Sequence, residues 1–250
     1  MRRLLSGVVL WVAGGMARLC AQGGPPMITD DPGTPGNGHW EINLGWTDQR
    51  TPGSTLFGLP LLDANYGVGD RIELTYEAPW AILRDDSGTH AGPGDSLVGA
   101  KWRFYDAGDS GWQASVYPQL TFLDPDSNAD RRGLADPDTT LLLPVEVDRD
   151  FGPIAVNFDF GHIFSSKYAD EGWMGGILFG HNVTKSWELD AEVHVNASEG
   201  LSSDEWIVNA GTRIDLSENT TLMIAEGRDL SNQLGPRVSL LSYVGVQFRL

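Results

Sequence analysis

The sequence predicts an all-β protein, an antiparallel transmembrane β-barrel of about 12 strands of the outer-membrane type. Three observations carry this. An apolar period of two recurs from His39 to the C-terminus, connections alternate short and long, and tryptophans gather at strand ends. Composition agrees. The 250 residues hold 34 Asp+Glu against 17 Lys+Arg, a formal net charge of −17. That balance excludes nucleic acid as a partner, because neutralising phosphates requires clustered Lys and Arg. Nine Trp, nine Phe and six Tyr exceed what a disordered chain carries. A lone cysteine, Cys20, excludes a disulfide framework and a Cys-based zinc site. No run of 18 apolar residues occurs, which excludes a bundle of transmembrane helices.

The chain divides into a signal peptide at 1–23, an N-terminal periplasmic segment at 24–38 and the barrel at 39–250. Met1-Arg2-Arg3 is a basic n-region, and Leu4 to Ala17 has the length of an apolar h-region. Ala21-Gln22-Gly23 supplies the small-x-small cleavage pattern. Arg18 and Leu19 ahead of Cys20 do not form a lipobox.

Twelve strands follow. Trp40, Ile42, Leu44 and Trp46 alternate with Glu41, Asn43 and Gly45. Leu62, Ala64, Tyr66 and Val68 come next, then Ile72, Leu74, Tyr76, Ala78 and Trp80 against Arg71, Glu73, Thr75 and Glu77. Val98, Ala100, Trp102 and Phe104 alternate with Gly99, Lys101 and Arg103. Trp112, Ala114, Val116, Leu120 and Phe122 make the fifth stripe, and Leu141, Leu143, Val145 and Val147 the sixth. Ile154, Val156, Phe158 and Phe160 are the seventh, and a glycine-rich stretch at 172–182 has no readable phase. Trp187, Leu189, Ala191, Val193 and Val195 alternate with Glu188, Asp190, Glu192 and His194. Trp206, Val208, Ala210, Ile214 and Leu216 follow, then a weaker stretch at 220–228, and finally Val244, Val246, Phe248 and Leu250.

Tight turns are expected at Gly69-Asp70, Asp106–Gly111, Asp148–Gly152, Thr184-Lys185 and Ser217–Asn219. Longer polar loops are expected at 47–58, 81–94, 124–138, 197–204 and 229–239. Short periplasmic turns and long external loops distinguish a membrane barrel from a soluble β-sandwich, which alternates equally well along its strands. Pro118 and Pro144 fall inside strands and are expected to mark neighbouring bulges.

The stretch Pro26-Met27-Ile28-Thr29-Asp30-Asp31-Pro32-Gly33-Thr34-Pro35-Gly36-Asn37-Gly38-His39-Trp40-Glu41 resembles the N-terminal hallmark of a family of bacterial outer-membrane proteins. That family is known as the MetA pathway of phenol degradation family, or as transporters. Asn65-Tyr66-Gly67, Gly69-Asp70-Arg71, Glu77-Ala78-Pro79-Trp80 and Gly94-Asp95 leading to Gly99–Phe104 extend the resemblance over most of the barrel region. It implies an outer-membrane location, a barrel fold and, through the pathway label, aromatic or hydrophobic solutes; it brings no catalytic residues. Such barrels often end in Phe for recognition by the barrel-assembly machinery, whereas Phe248 is followed here by Arg249-Leu250.

The polar phase of each strand is the predicted lumen lining: Glu41, Arg71, Glu73, Glu77, Lys101, Arg103, Glu146, Asp159, Glu188, Asp190, Glu192, Arg213 and Asp215, with Arg249 beside them. Acidic residues are in excess, and a narrow low-dielectric pore magnifies such an excess, so cations are expected to pass preferentially. Glu192 is expected to tolerate Gln or Lys. No G-x-S-x-G elbow and no H-E-x-x-H helix occurs, and no pair of histidines has metal-ligand spacing. The expectation is therefore a non-enzyme with neither cofactor nor metal. His194 with Glu192 and Asp190 is the best hydrolase candidate, and a solvated lumen lining explains it better. Asp124-Pro125-Asp126-Ser127-Asn128-Ala129-Asp130 spaces oxygens like a calcium loop but lacks its glycine and its final acid. The leading reading is a passive channel or transporter for small-molecule solutes, held in outer-membrane lipid. The alternatives are a structural or adhesive barrel acting through its loops, and an outer-membrane hydrolase.

Overall fold

The computed structural model describes residues 23–250 apart from 109–110, 124–127 and 168–170. The signal-peptide reading, up to Gln22, and the first half of the calcium-like loop lie outside the described residues. The strand segments are β1 (Trp40–Thr51), β2 (Ser54–Val68), β3 (Ile72–Asp85), β4 (Gly88–Pro93), β5 (Ser96–Asp106), β6 (Gln113–Val116) and β7 (Gln119–Phe122). They continue as β8 (Thr140–Phe151), β9 (Ile154–Ser165), β10 (Gly172–Thr184), β11 (Trp187–Ser198), β12 (Asp204–Ser217), β13 (Thr220–Asn232) and β14 (Leu240–Arg249).

These segments make 12 antiparallel strands. β4 and β5 are one strand interrupted at Gly94-Asp95, since β3 pairs with β4 through residues 80–85 and with β5 through residues 72–77. β6 and β7 are likewise one strand, interrupted at Tyr117-Pro118, and both pair with β5 and β8. The barrel closes where β1 meets β14, from Glu41↔Arg249 to Arg50↔Leu240. Closure leaves no sheet edge for another chain to pair with.

Three expectations change. The stretches 47–58 and 81–94 are not loops: β1–β2 and β3–β4 continue as long hairpins that turn at Pro52-Gly53 and Asp86-Ser87. The prolines do not mark bulges. The pairs Val116↔Val145 and Gln119↔Leu142 flank the gap in one unbroken register, so no residue is inserted. Pro118 and Pro144 sit on neighbouring strands, where two missing N–H groups share one short ladder gap. Tyr117 N–H still donates to the Pro144 carbonyl across it, at 3.2 Å. Finally, the unphased stretches acquire phases. Met174, Gly176, Leu178 and Gly180 of β10 face inward, as do Thr221, Met223 and Ala225 of β13.

The outer surface is apolar. Trp40, Trp112 and Trp187 lie exposed near the turn rim and Trp46, Trp80 and Trp206 near the loop rim, with Leu74, Phe158, Phe179 and Val193 between. A soluble barrel of this size would not present such a belt to water. No described helix is long and apolar enough to cross a membrane, and the strands have the belt instead.

Beyond the loop rim, residues 128–135 fold over the β3–β4 hairpin. Asp130–Arg132 form a single 3₁₀ turn ended by Gly133 in a left-handed conformation, and Ala129 and Leu134 pack on Ala81 with Leu56 and Leu83 alongside.

Candidate functional site

The lumen is not empty. Residues 24–38, read from the sequence as a periplasmic segment, fold back into the barrel; the reason is a set of buried charges on the wall that need partners. The segment crosses the turn rim along β2. Gly38 N–H donates to the Gly67 carbonyl at 2.9 Å and Gly67 N–H to the His39 carbonyl at 3.0 Å. A side chain at Gly67 would meet the Gly36 carbonyl oxygen at 1.8 Å, so only glycine admits this approach. Thr34 Oγ1 donates to the Asp70 carbonyl at 3.1 Å. Deeper inside, Met27 N–H returns to the Gly24 carbonyl and Gly24 N–H to that of Thr29, closing a compact turn.

Two parts of the wall hold this turn. On β11 and β12, the Glu192 carboxylate accepts the N–H groups of Ile28 at 2.9 Å and Thr29 at 2.8 Å, and Asn209 Nδ2 also donates to it. Arg213 Nη2 donates to three carbonyls, those of Gly24 and Pro25 of the segment and that of Gly23, the last residue of the expected signal peptide, at 2.9–3.0 Å. Its Nη1 lies 3.4 Å from Asp190 and 3.8 Å from Glu188. Across the lumen, Lys101 Nζ donates to Asp30 Oδ1 at 3.1 Å and to the Asp31 carbonyl at 2.6 Å. The same ammonium lies 3.7 Å from Glu146 and 3.9 Å from Glu73, and 4.7 Å from the centre of the Tyr117 ring. Tyr117 OH donates to Thr75 Oγ1, which donates on to Asn65. Between the two charged walls, Met27 packs into a buried apolar cluster of Leu178, Met223, Ala225 and Tyr243.

Of the predicted lining residues, Glu73, Lys101, Glu146, Asp159, Glu188, Asp190, Glu192 and Arg213 are buried inside the barrel. Glu41 and Glu77 line the same interior cavity. Arg71 and Asp215 are not lumenal: both are exposed at the turn rim, where the strands run out into the turns. Asp215 pairs there with Arg249 at 3.0 Å, and Arg103 turns to Gln113 and the Asp70 carbonyl. Glu192 is no freely replaceable lining residue, because two backbone amides depend on it. Of the hydrolase candidate's residues, Glu192 is engaged by the segment and His194 Nε2 faces Asn196. Among the described residues no three His, Cys, Asp or Glu side chains form a metal-ligand group.

Sequence reasoning missed Met27, Thr29, Asp30 and Asp31 as interior residues, together with Tyr117 and Tyr243. The available signal was glycine on the inward phase, at 67, 99 and 245, where a solvated lumen has no need of it.

Two spaces remain. A cavity of about 470 Å³ lies between the segment and the wall, lined by Glu41, Asp63, Glu73, Glu77, Glu146 and Asp159 with Lys101 as their cation. A smaller one of about 200 Å³ lies between Pro25–Ile28 and the loop-side wall, lined by Leu61, Ala225, Leu241 and Tyr243.

No family model and no curated protein matches this chain. Solved structures do. The COG4313 outer membrane channel from Pseudomonas putida F1 superposes with a TM-score of 0.72 at 15% identity, over 86% of this chain and 96% of that one. The KdgM porin in complex with disordered oligogalacturonate gives 0.54 at 10% identity, over 83% and 98%. The translocator domain of autotransporter NalP from Neisseria meningitidis gives 0.51 at 12%, over 86% and 89%. This chain has the fold of a 12-stranded outer-membrane barrel. The resemblance to the phenol-degradation family rests on its motifs alone.

Proposed function

We propose that the protein is an outer-membrane channel for small solutes, gated by its own N-terminal segment. The observation that carries this is the occupied but incompletely filled lumen: a segment held by hydrogen bonds and ion pairs, beside a polar cavity of about 470 Å³. A barrel serving only as a structural wall has no need of either. The likeness to a channel and a porin supports the class. The apolar belt with tryptophans at both rims supports a place in outer-membrane lipid, reached by way of the barrel-assembly machinery acting on β14.

Cations pass preferentially in this reading. Lys101 and Arg213 are both committed to the segment and its neighbouring acids, and the acidic side chains lining the cavity outnumber its one lysine. The test is planar-bilayer recording of the refolded protein, with and without residues 24–35. The intact chain is expected to give small, cation-preferring currents and the deletion several-fold larger ones. Anion preference overturns the acidic-lumen reading, and silence from both chains overturns the channel.

A second reading has its own observation. The pocket of about 200 Å³ beneath the loop rim is walled by Met27, Leu61, Ala225, Leu241 and Tyr243, an unusual apolar patch in a barrel interior. It suits a small apolar or aromatic solute resting above the segment. Block of the current by toluene but not by glucose supports this reading, and equal indifference to both removes it.

A further inference from the structure

The two cavities inside the barrel adjoin at Glu77. The larger, of about 470 Å³, and the smaller, of about 200 Å³, share Pro25, Met27 and Ile28 of the segment and, on the wall, Glu77 alone. Glu77 pairs across strands with Asp63 of β2, a second carboxylate lining the larger cavity. Asn43 and Asn65 donate to Asp63 at 2.8 and 3.1 Å, whereas no hydrogen bond or ion pair reaches Glu77 among the described residues. The two cations buried inside the barrel are committed elsewhere. Lys101 serves Asp30, Glu73 and Glu146, and Arg213 serves Asp190, Glu188 and the carbonyls of the turn. Two neighbouring carboxylates beside a cavity call for a counter-charge that the chain does not supply.

The other side of Glu77 is apolar. The smaller cavity is walled by Met27, Leu61, Ala225, Leu241 and Tyr243. Tyr243 is 8% exposed and lies flat across two glycines: a Cβ at Gly45 or Gly245 would come within 2.9 or 2.5 Å of its hydroxyl. Gly245 is on the turn-rim side of Tyr243, as is the row in which Asp63, Asn43 and Gln247 pair, so the hydroxyl lies on the acidic side of the pocket. It has no hydrogen-bond partner among the described residues. A dry apolar cavity of about 150 Å³ takes a benzene molecule, so this pocket has room for one ring and a short arm.

We infer that the solute of this pocket is a small amine with an apolar or aromatic body, its ammonium beside Glu77 and Asp63 and its body against Leu61, Ala225 and Tyr243. The inference rests on the second reading above, that the pocket takes a solute, and names the class. A protonated amine brings the missing charge and three N–H donors, and its body displaces water that the apolar wall cannot hydrogen-bond. A neutral aromatic fills the pocket and leaves the carboxylates without a cation. A small inorganic cation meets the carboxylates and leaves the pocket wet. An anion is repelled by both acids. Only a molecule that joins charge and apolar body uses both sides of Glu77.

The experiment is calorimetric titration of the refolded full chain with three probes. Phenethylamine carries both parts, phenethyl alcohol has the shape without the charge, and methylamine has the charge without the body. One phenethylamine per chain is expected, bound about tenfold or more tighter than either of the others, as a charged hydrogen bond and a buried ring each supply. Glu77→Gln should lower phenethylamine to the affinity of the alcohol and leave the alcohol unchanged. Ala225→Leu, which fills the pocket, should weaken both. The comparison of probes on the wild type decides the matter even if neither variant gives a heat-shifted folded band. Equal affinity for amine and alcohol overturns the proposal, as does equal affinity for the two amines or binding of none. Block by toluene without preference for the amine removes this inference and leaves the second reading standing. Tight phenethylamine binding by a chain that is silent in planar bilayers removes the channel and supports the site.

Discussion

The two sides of the lumen hold the same segment by different means. The β11–β12 side binds its backbone: Arg213 gathers three carbonyls and Glu192 two amides. The β5–β8 side has a side-chain clasp, with Lys101 set between Asp30 and the wall acids Glu146 and Glu73. The first side is indifferent to which residues occupy 23–25 and 28–29, provided their backbone reaches the clamp. The second adds to one backbone contact, from Lys101 to the Asp31 carbonyl, a dependence on the particular carboxylate of Asp30. A segment held this way is anchored firmly at its tip and adjustable at its stem.

The largest effect should come from the backbone clamp. Arg213→Met removes the donor to three carbonyls and the cation beside Asp190 and Glu188, and breaking such a buried pair costs about 3–5 kcal/mol. The segment should become protease-sensitive from the turn side and the open-channel current should rise. If Arg213→Met leaves both unchanged, the clamp does not hold the segment and the comparison fails.

Val193→Arg tests the same strand from its other face. Val193 lies exposed between the aromatic rims, where an arginine costs about 2–4 kcal/mol of barrel stability. Denaturant unfolding in bilayers should record that loss while the docking of the segment in folded molecules stays intact. By contrast, Glu192→Gln, one residue away, should leave unfolding nearly unchanged and loosen the segment. Equal effects of the two on both readouts would show that wall and gate are not separable.

A smaller effect belongs to the clasp. Asp30→Asn keeps the shape and removes the charge facing Lys101, a charged hydrogen bond of about 1.5–3 kcal/mol. Combined with Lys101→Met, the loss should be less than the sum of the two single effects, measured by segment proteolysis. Full additivity would mean that Lys101 serves Glu146 and Glu73 alone. Smallest of all, Pro25→Ala should move docking by less than about 1 kcal/mol, because Arg213 contacts a carbonyl that any residue supplies. A loss as large as that of Arg213→Met would show that side-chain shape at the tip matters after all.

The sequence by itself determined the barrel. The lipid face and most inward positions follow from a period of two, because lipid and lumen select opposite residue types on alternate positions, and the barrel reading itself from short turns alternating with longer connections. Val193 outward and Glu192 inward were legible for that reason. Only tertiary structure decided what fills the barrel. Residues 24–38 have no periodicity, and a stretch rich in Gly, Pro and Asp reads as an exposed tail. Their place depends on groups far away in sequence, Lys101, Glu192 and Arg213, which meet them only once the barrel has closed. The same holds for Gly176. Alone it is a weak residue in a strand, and its purpose appears when Thr29, Asp159 and His194 arrive over it from three separate segments. Local patterns record which solvent each face meets. They cannot record a contact between two polar groups far apart in sequence, because neither departs from its own local rule.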